Sequence, residues 1–248
     1  MTKIVLITGT STGLGVATAV QAAQAGHTVY ATMPNTQKRD SLDAAAQAAG
    51  VSLNVLQLDV QDTASVNAAV DAVINEQGRI DVLINNAGIT HLPQPMEEVS
   101  EADFDRVTAV NMKSVFLTAQ ALVPHMKSHQ SGAILNIAST AGVSPRPHLN
   151  WYNASKGWMI TATKAMAVEL APDGIRVNAL CPVAGETPLL SSFMGEDTPE
   201  MRAKFISTIP LGRFSTPQDM GNAACYLCSE EASMVTGVCM QVDGGRCI

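Results

Sequence analysis

Short, unbroken apolar runs alternate along this chain with longer stretches of helical spacing. Ile4–Thr8, Thr28–Thr32 and Leu53–Leu58 are runs of the first kind, followed in turn by Leu14–Ala25, Thr36–Ala49 and Ala64–Glu76. Further strand-like runs are Val82–Ile84, Ala133–Ala138, Arg176–Leu180 and Cys239–Val242, with helical stretches over Ala102–Met126, Asn150–Leu170 and Pro217–Ser229 between them. A strand with one wet face alternates apolar and polar residues, whereas these runs are apolar almost throughout, which predicts strands covered on both sides. Strands that alternate with helices are joined by right-handed crossovers. The pattern therefore predicts an α/β fold, a doubly wound parallel sheet with helices on both faces. No linker-like segment divides the chain, so a single domain over residues 1–248 is expected. The stretch over residues 183–216, rich in Pro, Gly and Ser, is expected to be an irregular insertion that covers a substrate.

Composition narrows the function. The 248 residues are 46% hydrophobic and 15% charged, enough to build a large core and unlike a disordered chain. A formal charge of −7 and few aromatic residues argue against a nucleic-acid partner, which demands clustered cations. The first residues lead directly into the first apolar run without the features of a leader, and no run approaches the roughly 18 apolar residues of a membrane span. A cytoplasmic protein with no membrane partner is expected. The cysteines, Cys181, Cys225, Cys228, Cys239 and Cys247, are odd in number and lie in apolar surroundings, as suits reduced thiols. Cys225 and Cys228 form a C-x-x-C within a helical pattern but lack a second ligand pair, so no metal site is expected.

Two local patterns carry chemistry. Thr8-Gly9-Thr10-Ser11-Thr12-Gly13-Leu14-Gly15 joins the first strand to the first helix, where a Rossmann-type fold binds a dinucleotide phosphate. Gly9 would permit the tight exit from the strand, Gly13 the close approach of backbone to pyrophosphate, and Gly15 the packing of helix on sheet. The N–H groups at the helix start would then face the diphosphate. An ordinary strand-to-helix turn also uses glycine, so the pattern alone leaves both readings open. The second pattern is Tyr152 and Lys156, four residues apart and hence on one helix face. A free tyrosine, with a pKa near 10, exchanges protons poorly at neutral pH, so a tyrosine that serves as an acid or base needs a neighbour that shifts it. The Lys156 ammonium is expected to stabilise the tyrosinate and lower that pKa.

These patterns, with Asn85-Asn86-Ala87-Gly88, Asn111, Ser139 and Asn178…Pro182…Thr187, run in one order over nearly the whole chain and resemble the short-chain dehydrogenase/reductase family. The resemblance implies an NAD(P)-dependent enzyme that interconverts a secondary alcohol and a ketone, acts on a small-molecule substrate and assembles as a homotetramer. It implies catalytic roles for Asn111, Ser139, Tyr152 and Lys156. Cofactor contacts are implied for Gly9, Ser11, Thr12, Gly13, Leu14, Gly15, Met33, Asp59, Val60, Asn86, Ala87, Gly88, Tyr152, Lys156, Pro182, Val183 and Thr187, with Asn85 beside Ala87 and Gly88 at the ribose. Asp59 would accept from the adenine amino group, though a carboxylate there can equally cap the next helix. Ser139 can also begin a loop, and Asn111 can be a helix-interior polar group bonded to backbone.

Three features qualify that picture. The family commonly has Pro-Gly after the sixth strand, but here Pro182 is followed by Val183, which disfavours positive φ, so Gly185 is expected to supply the flexible point. The second strand ends Met33-Pro34-Asn35, with neither the carboxylate that bonds the ribose hydroxyls of NAD nor the arginine that grips the phosphate of NADP. Either NAD or NADP fits, and the reading leans to NAD, with Lys38 and Arg39 near enough in sequence to favour NADP instead. An alternative substrate is a 3-oxoacyl chain on acyl carrier protein, which needs a basic entrance. The turns Ser128–Ser131 and Ala171–Asp173 are neutral or acidic, while Lys127, Arg146 and Arg213 could still form a patch. A remote alternative is a non-catalytic dinucleotide-binding protein, which would be expected to have lost Tyr152 or Lys156. Candidate substrate-pocket positions are His91, Leu92, Thr140, Pro145, Arg146, His148, Trp151, Leu189, Leu190, Phe193 and Met194; at least two of His91, Arg146 and His148 are expected to be solvated loop residues.

Overall fold

The apolar runs become the strands of one seven-stranded parallel sheet. The computed structural model describes residues 2–248. In chain order the strands are β1 (Ile4–Thr8), β2 (Thr28–Met33), β3 (Asn54–Gln57), β4 (Val82–Asn85), β5 (Gly132–Ile137), β6 (Ile175–Pro182) and β7 (Cys239–Val242). The helices are α1 (Gly13–Gln24), α2 (Asp40–Ala49), α3 (Thr63–Gln77), α4 (Glu101–Thr108), α5 (Ser114–His129), α6 (Asn150–Leu170), α7 (Leu190–Met194), α8 (Pro199–Ile206) and α9 (Pro217–Cys228). The strand order is β3-β2-β1-β4-β5-β6-β7, so the chain reverses direction across the sheet between β1 and β4. A crevice opens beyond the carboxyl ends of strands at such a reversal.

Both faces of the sheet are buried over β1, β2, β4, β5 and β6, which explains their continuous apolar runs, while the edge strands β3 and β7 are partly exposed. Val5, Ile7, Val29, Ala31 and Ile84 face one core with Ala19 of α1 and Ala224 and Leu227 of α9. The intervening Ile4, Leu6, Tyr30 and Leu83 face the other, with Val70 of α3, Leu122 of α5 and Ala167 of α6. Alternate residues thus enter different cores.

The structure departs from the periodicity in three places. The predicted helix over 102–126 is three pieces, α4, a wide π turn over Ala109–Lys113 and α5, because the Asn111 side chain is drawn inward to bond a neighbouring loop. The stretch before α2 starts as a 3₁₀ turn, with the Asn35 side chain accepting from Gln37 N. The segment over 183–216 is not irregular throughout. It carries α7 and α8 around a small apolar cluster of Val183, Leu190, Met194, Ile209 and Phe214.

Candidate active site

Beyond the carboxyl ends of β1, β4, β5 and β6 lies one continuous cleft of about 550 Å³. One half is shaped to take a dinucleotide. Gly9 leaves β1 at a φ of +70°, a left-handed conformation that favours glycine, and Gly15 lies so close to the next segment that a Cβ would stand 2.6 Å from Asn86 Nδ2. Asn86 Nδ2 donates to the carbonyl oxygens of Thr8 and Gly9 at 2.9 and 2.8 Å, and the Thr8 hydroxyl accepts from the N–H groups of Asn86 and Ala87. Thr12 makes no side-chain cap to α1, so the first amides of that helix keep their donors for an anion. Ser11, Thr12, Gly13, Leu14, Asp59, Val60, Asn86, Ala87, Gly88, Pro182, Val183 and Thr187 line the same cleft. The helix after β3 is capped by Asp62, whose carboxylate accepts from Ala64 N and Ser65 N, so the capping role is not Asp59's. Asp59 uses Oδ1 for Gln61 N, and its Oδ2 has no hydrogen bond among the described residues.

The other half holds the proton chemistry. Helix α6 sets Tyr152 and Lys156 one turn apart, both buried, with Lys156 Nζ 5.9 Å from the centre of the tyrosine ring. Ser139, just past β5, lines the cleft with Tyr152 and accepts from Ala141 N at 3.0 Å. Lys156 Nζ donates to Ile137 O at 2.8 Å. Asn111 is fully buried, its Oδ1 accepting from Ile89 N and its Nδ2 donating to Ile89 O and Ser155 Oγ. Both Lys156 Nζ and Asn111 Oδ1 border Gly88, where a Cβ would stand 3.3 and 3.7 Å from them.

The charge states differ from expectation. Burial pushes the Tyr152 hydroxyl up to about 12, against the downward pull of the nearby Ser139 hydroxyl and the Arg146 charge. Burial also draws Lys156 down to about 8. Desolvation, which spacing does not report, thus dominates the charge state of Tyr152. Tyr152 in this state is a proton donor, suited to a carbonyl oxygen.

A family model described as "Enoyl-(Acyl carrier protein) reductase" matches residues 9–246. The chain is 44% identical over 245 residues to the 4-formylbenzenesulfonate dehydrogenase of Comamonas testosteroni, covering 98% of this chain and 97% of that one. The chain belongs to the short-chain dehydrogenase/reductase family. Among solved structures, the 3-ketoacyl-(acyl-carrier-protein) reductase from Brucella melitensis, complexed with NADH, superposes with a TM-score of 0.91 at 44% identity, covering 99% and 98% of the two chains. A gluconate 5-dehydrogenase from Burkholderia cenocepacia, in complex with NADP and tartrate, gives 0.91 at 32% identity over 98% and 94%. This short-chain dehydrogenase/reductase is thus an NAD(P)-dependent oxidoreductase that interconverts alcohols and ketones.

Within this family member some expected residues lie elsewhere. Met33 is fully buried in the core beside α1, and Pro34 lines the cleft in its place, because alternate residues of β2 face opposite sides. Asn85 does not reach the ribose position: it is buried between Asn136 and Thr118, bonded to both. Asn178 ties β6 to the approach to β7 through Val235 O and Val238 N. Gly185 does not adopt positive φ. It is needed instead for close approach, since a Cβ would stand 2.5 Å from Ser215 Oγ where the two residues pair as a bridge. Thr140, Arg146, Leu189 and Phe193 of the candidate pocket line the cleft. Trp151 packs edge-on against Phe104, Leu190 and Met194 fill the cluster of the insertion, and Leu92 is exposed. His148 is exposed, as expected of a loop residue, but His91 is buried, with Nδ1 donating to Leu92 O. Phe205, Thr208, Ile209 and Arg246 join the cleft with no local signal in the sequence.

Among the described residues no helix is long and apolar enough to cross a membrane. Cys225 and Cys228 are free thiols on α9, and burial pushes the Cys228 thiol up to about 12.

Proposed function

We propose that Tyr152 is the acid and base of a secondary alcohol/ketone interconversion in this cleft. The observation that carries the reading is that one cavity joins the free amide end of α1 to a buried tyrosine in the same lining as Ser139 and Lys156. A dinucleotide, when bound, supplies the hydride or takes it up. Ser139 donates to the substrate oxygen and to charge developing there, and Tyr152 delivers or withdraws the proton. Lys156 places its charge beside the tyrosine, and Asn111 positions the loop at Ile89 and Gly88 against Lys156. Asp59 Oδ2 receives the adenine amino group, and Thr187 contacts the carboxamide. The insertion over 183–216 covers the substrate, supported by Thr187, Leu189, Phe193, Phe205 and Ile209 in the cleft wall.

NAD(H) is the favoured cofactor in this reading. Pro34 offers the ribose no cation, and Arg39 is engaged by Asp43 at 2.7 Å. The enzyme is a cytosolic homotetramer, a reading supported by free cysteines and by exposed Phe116 on α5 and Trp158 and Val168 on α6. Reduction of 3-oxoacyl chains is the second reading, favoured by the likeness to the Brucella reductase. Against it, Lys127 pairs with Asp173 and Arg213 with Asp219, which neutralises two of three candidate docking cations.

Ketone-dependent oxidation of NADH and NADPH tests the reaction. Tyr152→Phe is expected to retain cofactor binding, measured by nicotinamide fluorescence, and to lose at least about a hundredfold in kcat. Near-parental turnover in that variant would remove Tyr152 from the mechanism.

A further inference from the structure

Seven of the chain's arginines and lysines are paired with carboxylates, among them Arg39, Arg79, Arg106, Arg202 and Arg213. Arg176 is held by the carbonyl oxygens of Leu227, Ser229 and Val235. Arg146 and Arg246 are the arginines left with neither a carboxylate nor a guanidinium hydrogen bond among the described residues, and both line the cleft. Withholding partners from a half-buried cation is costly, and a chain of net charge −7 has carboxylates to spare. The one carboxylate in the cleft wall, Asp59, belongs to the adenine half.

Both arginines are built into place. Arg146 stands between Pro145 and Pro147, which restrict its backbone, and its carbonyl oxygen accepts from Asn153 Nδ2 of α6 at 2.7 Å. Its guanidinium lies over the rings of Phe205 and Phe193, 4.9 and 5.7 Å from their centres. The two rings flank the cation, and its N–H donors, without a partner among the described residues, remain for a ligand. Phe193 in turn lies 5.2 Å from the Tyr152 ring, so this cation belongs to the reacting end of the cleft. Arg246 follows the left-handed Gly244-Gly245 pair, and the nearby Asp243 carboxylate is spent on the N–H groups of Gly245 and Cys247. Burial, with a smaller contribution from the Arg246 charge, holds the Arg146 guanidinium below its ordinary pKa.

We propose that the substrate is an anionic hydroxy or oxo compound, whose carboxylate or sulfonate is gripped by Arg146 and Arg246 while its carbonyl carbon faces Ser139 and Tyr152. This rests on the alcohol/ketone reading above and names its substrate class. Oxyanions match the guanidinium fork, and Phe193 and Ile209 accept an apolar body between the two polar ends.

The test compares 4-acetylbenzoate and 4-acetylbenzenesulfonate with methyl 4-acetylbenzoate, and the corresponding formyl compounds, in the parent enzyme and in Arg146→Gln and Arg246→Gln. The anions are expected to exceed the ester by at least about tenfold in kcat/KM, mainly through KM. Each substitution is expected to cut that ratio by roughly tenfold, the scale of one charge-assisted contact. A parental ratio at or below unity overturns the proposal, as does an equal loss on acid and ester, or a change confined to the KM of NAD(P)H. Calorimetry of the NAD(H)-loaded enzyme with 4-ethylbenzenesulfonate and its sulfonamide provides a readout independent of turnover. Preference for the sulfonate, lost in Arg246→Gln, supports the site; equal binding of the two overturns it. If no ketone or aldehyde is turned over, the reaction reading fails, and the binding comparison still decides the arginine pair.

Discussion

Replacing Pro34 by arginine adds a cation at the one cleft position where β2 presents none. Pro34 is exposed at the end of β2 and lines the cleft, and the adjoining turn is held by the Asn35 side chain, not by the proline. A charge-assisted contact to a ribose phosphate contributes about 1.5–3 kcal/mol. Ordering a long exposed side chain costs up to about 1.5–2 kcal/mol of rotamer freedom. Taking the upper end of the gain against the cost leaves about 1–1.5 kcal/mol, or roughly five- to tenfold in relative kcat/KM. Steady-state kinetics with NADH and NADPH on both proteins measures it: the parent is expected to favour NADH modestly, and Pro34→Arg to move the ratio roughly five- to tenfold toward NADPH. The reasoning requires that Lys38 and Arg39 leave the phosphate position empty; Arg39 is paired with Asp43. A strong parental preference for NADPH, abolished by Lys38→Ala and Arg39→Ala, would refute it.

Ketone reduction is expected to decline as pH rises through about 8, where Lys156 sheds the charge that burial has already made costly; Tyr152, near 12, stays protonated over that range. A pH profile flat from neutral to strongly alkaline conditions would count against the lysine's role. Asn111→Ala strands the buried partners at Ile89 and Ser155, so urea denaturation should show a loss of about 1–3 kcal/mol per stranded group, and an unchanged midpoint would deny the positioning role. Gly185→Ala forces a Cβ against Ser215 and is expected to lower thermal stability by about 1–3 kcal/mol, relieved in part by Ser215→Ala; no loss would mean the bridge yields freely. Light scattering at micromolar concentration should report a tetramer, and Val168→Glu, at an exposed position on α6, should weaken it; a monomeric parent would end that proposal.

Much of the fold was legible because it is written in local periods. The bounds of α6 and β7 follow directly from spacing, and every strand was anticipated to within a few residues; in the central strands burial on both faces removes polar residues from consecutive positions. Tyr152 and Lys156 were readable for the same reason, as was the glycine turn, whose backbone demands are met within a few residues. What spacing could not supply is anything set by distant chain. The π turn at Asn111 exists because a loop more than twenty positions earlier offers its backbone to that side chain. Met33 and Pro34 exchange roles because the sheet decides which side of β2 faces the core. The charge state of Tyr152 is not legible from its helix neighbour alone, because desolvation sums over every segment that closes on the ring. Arg246 entered the cleft unannounced. Its sequence neighbours are two glycines and a cysteine, and only the closure of the last strand beside the 183–216 segment brings its charge to the same cavity as Arg146.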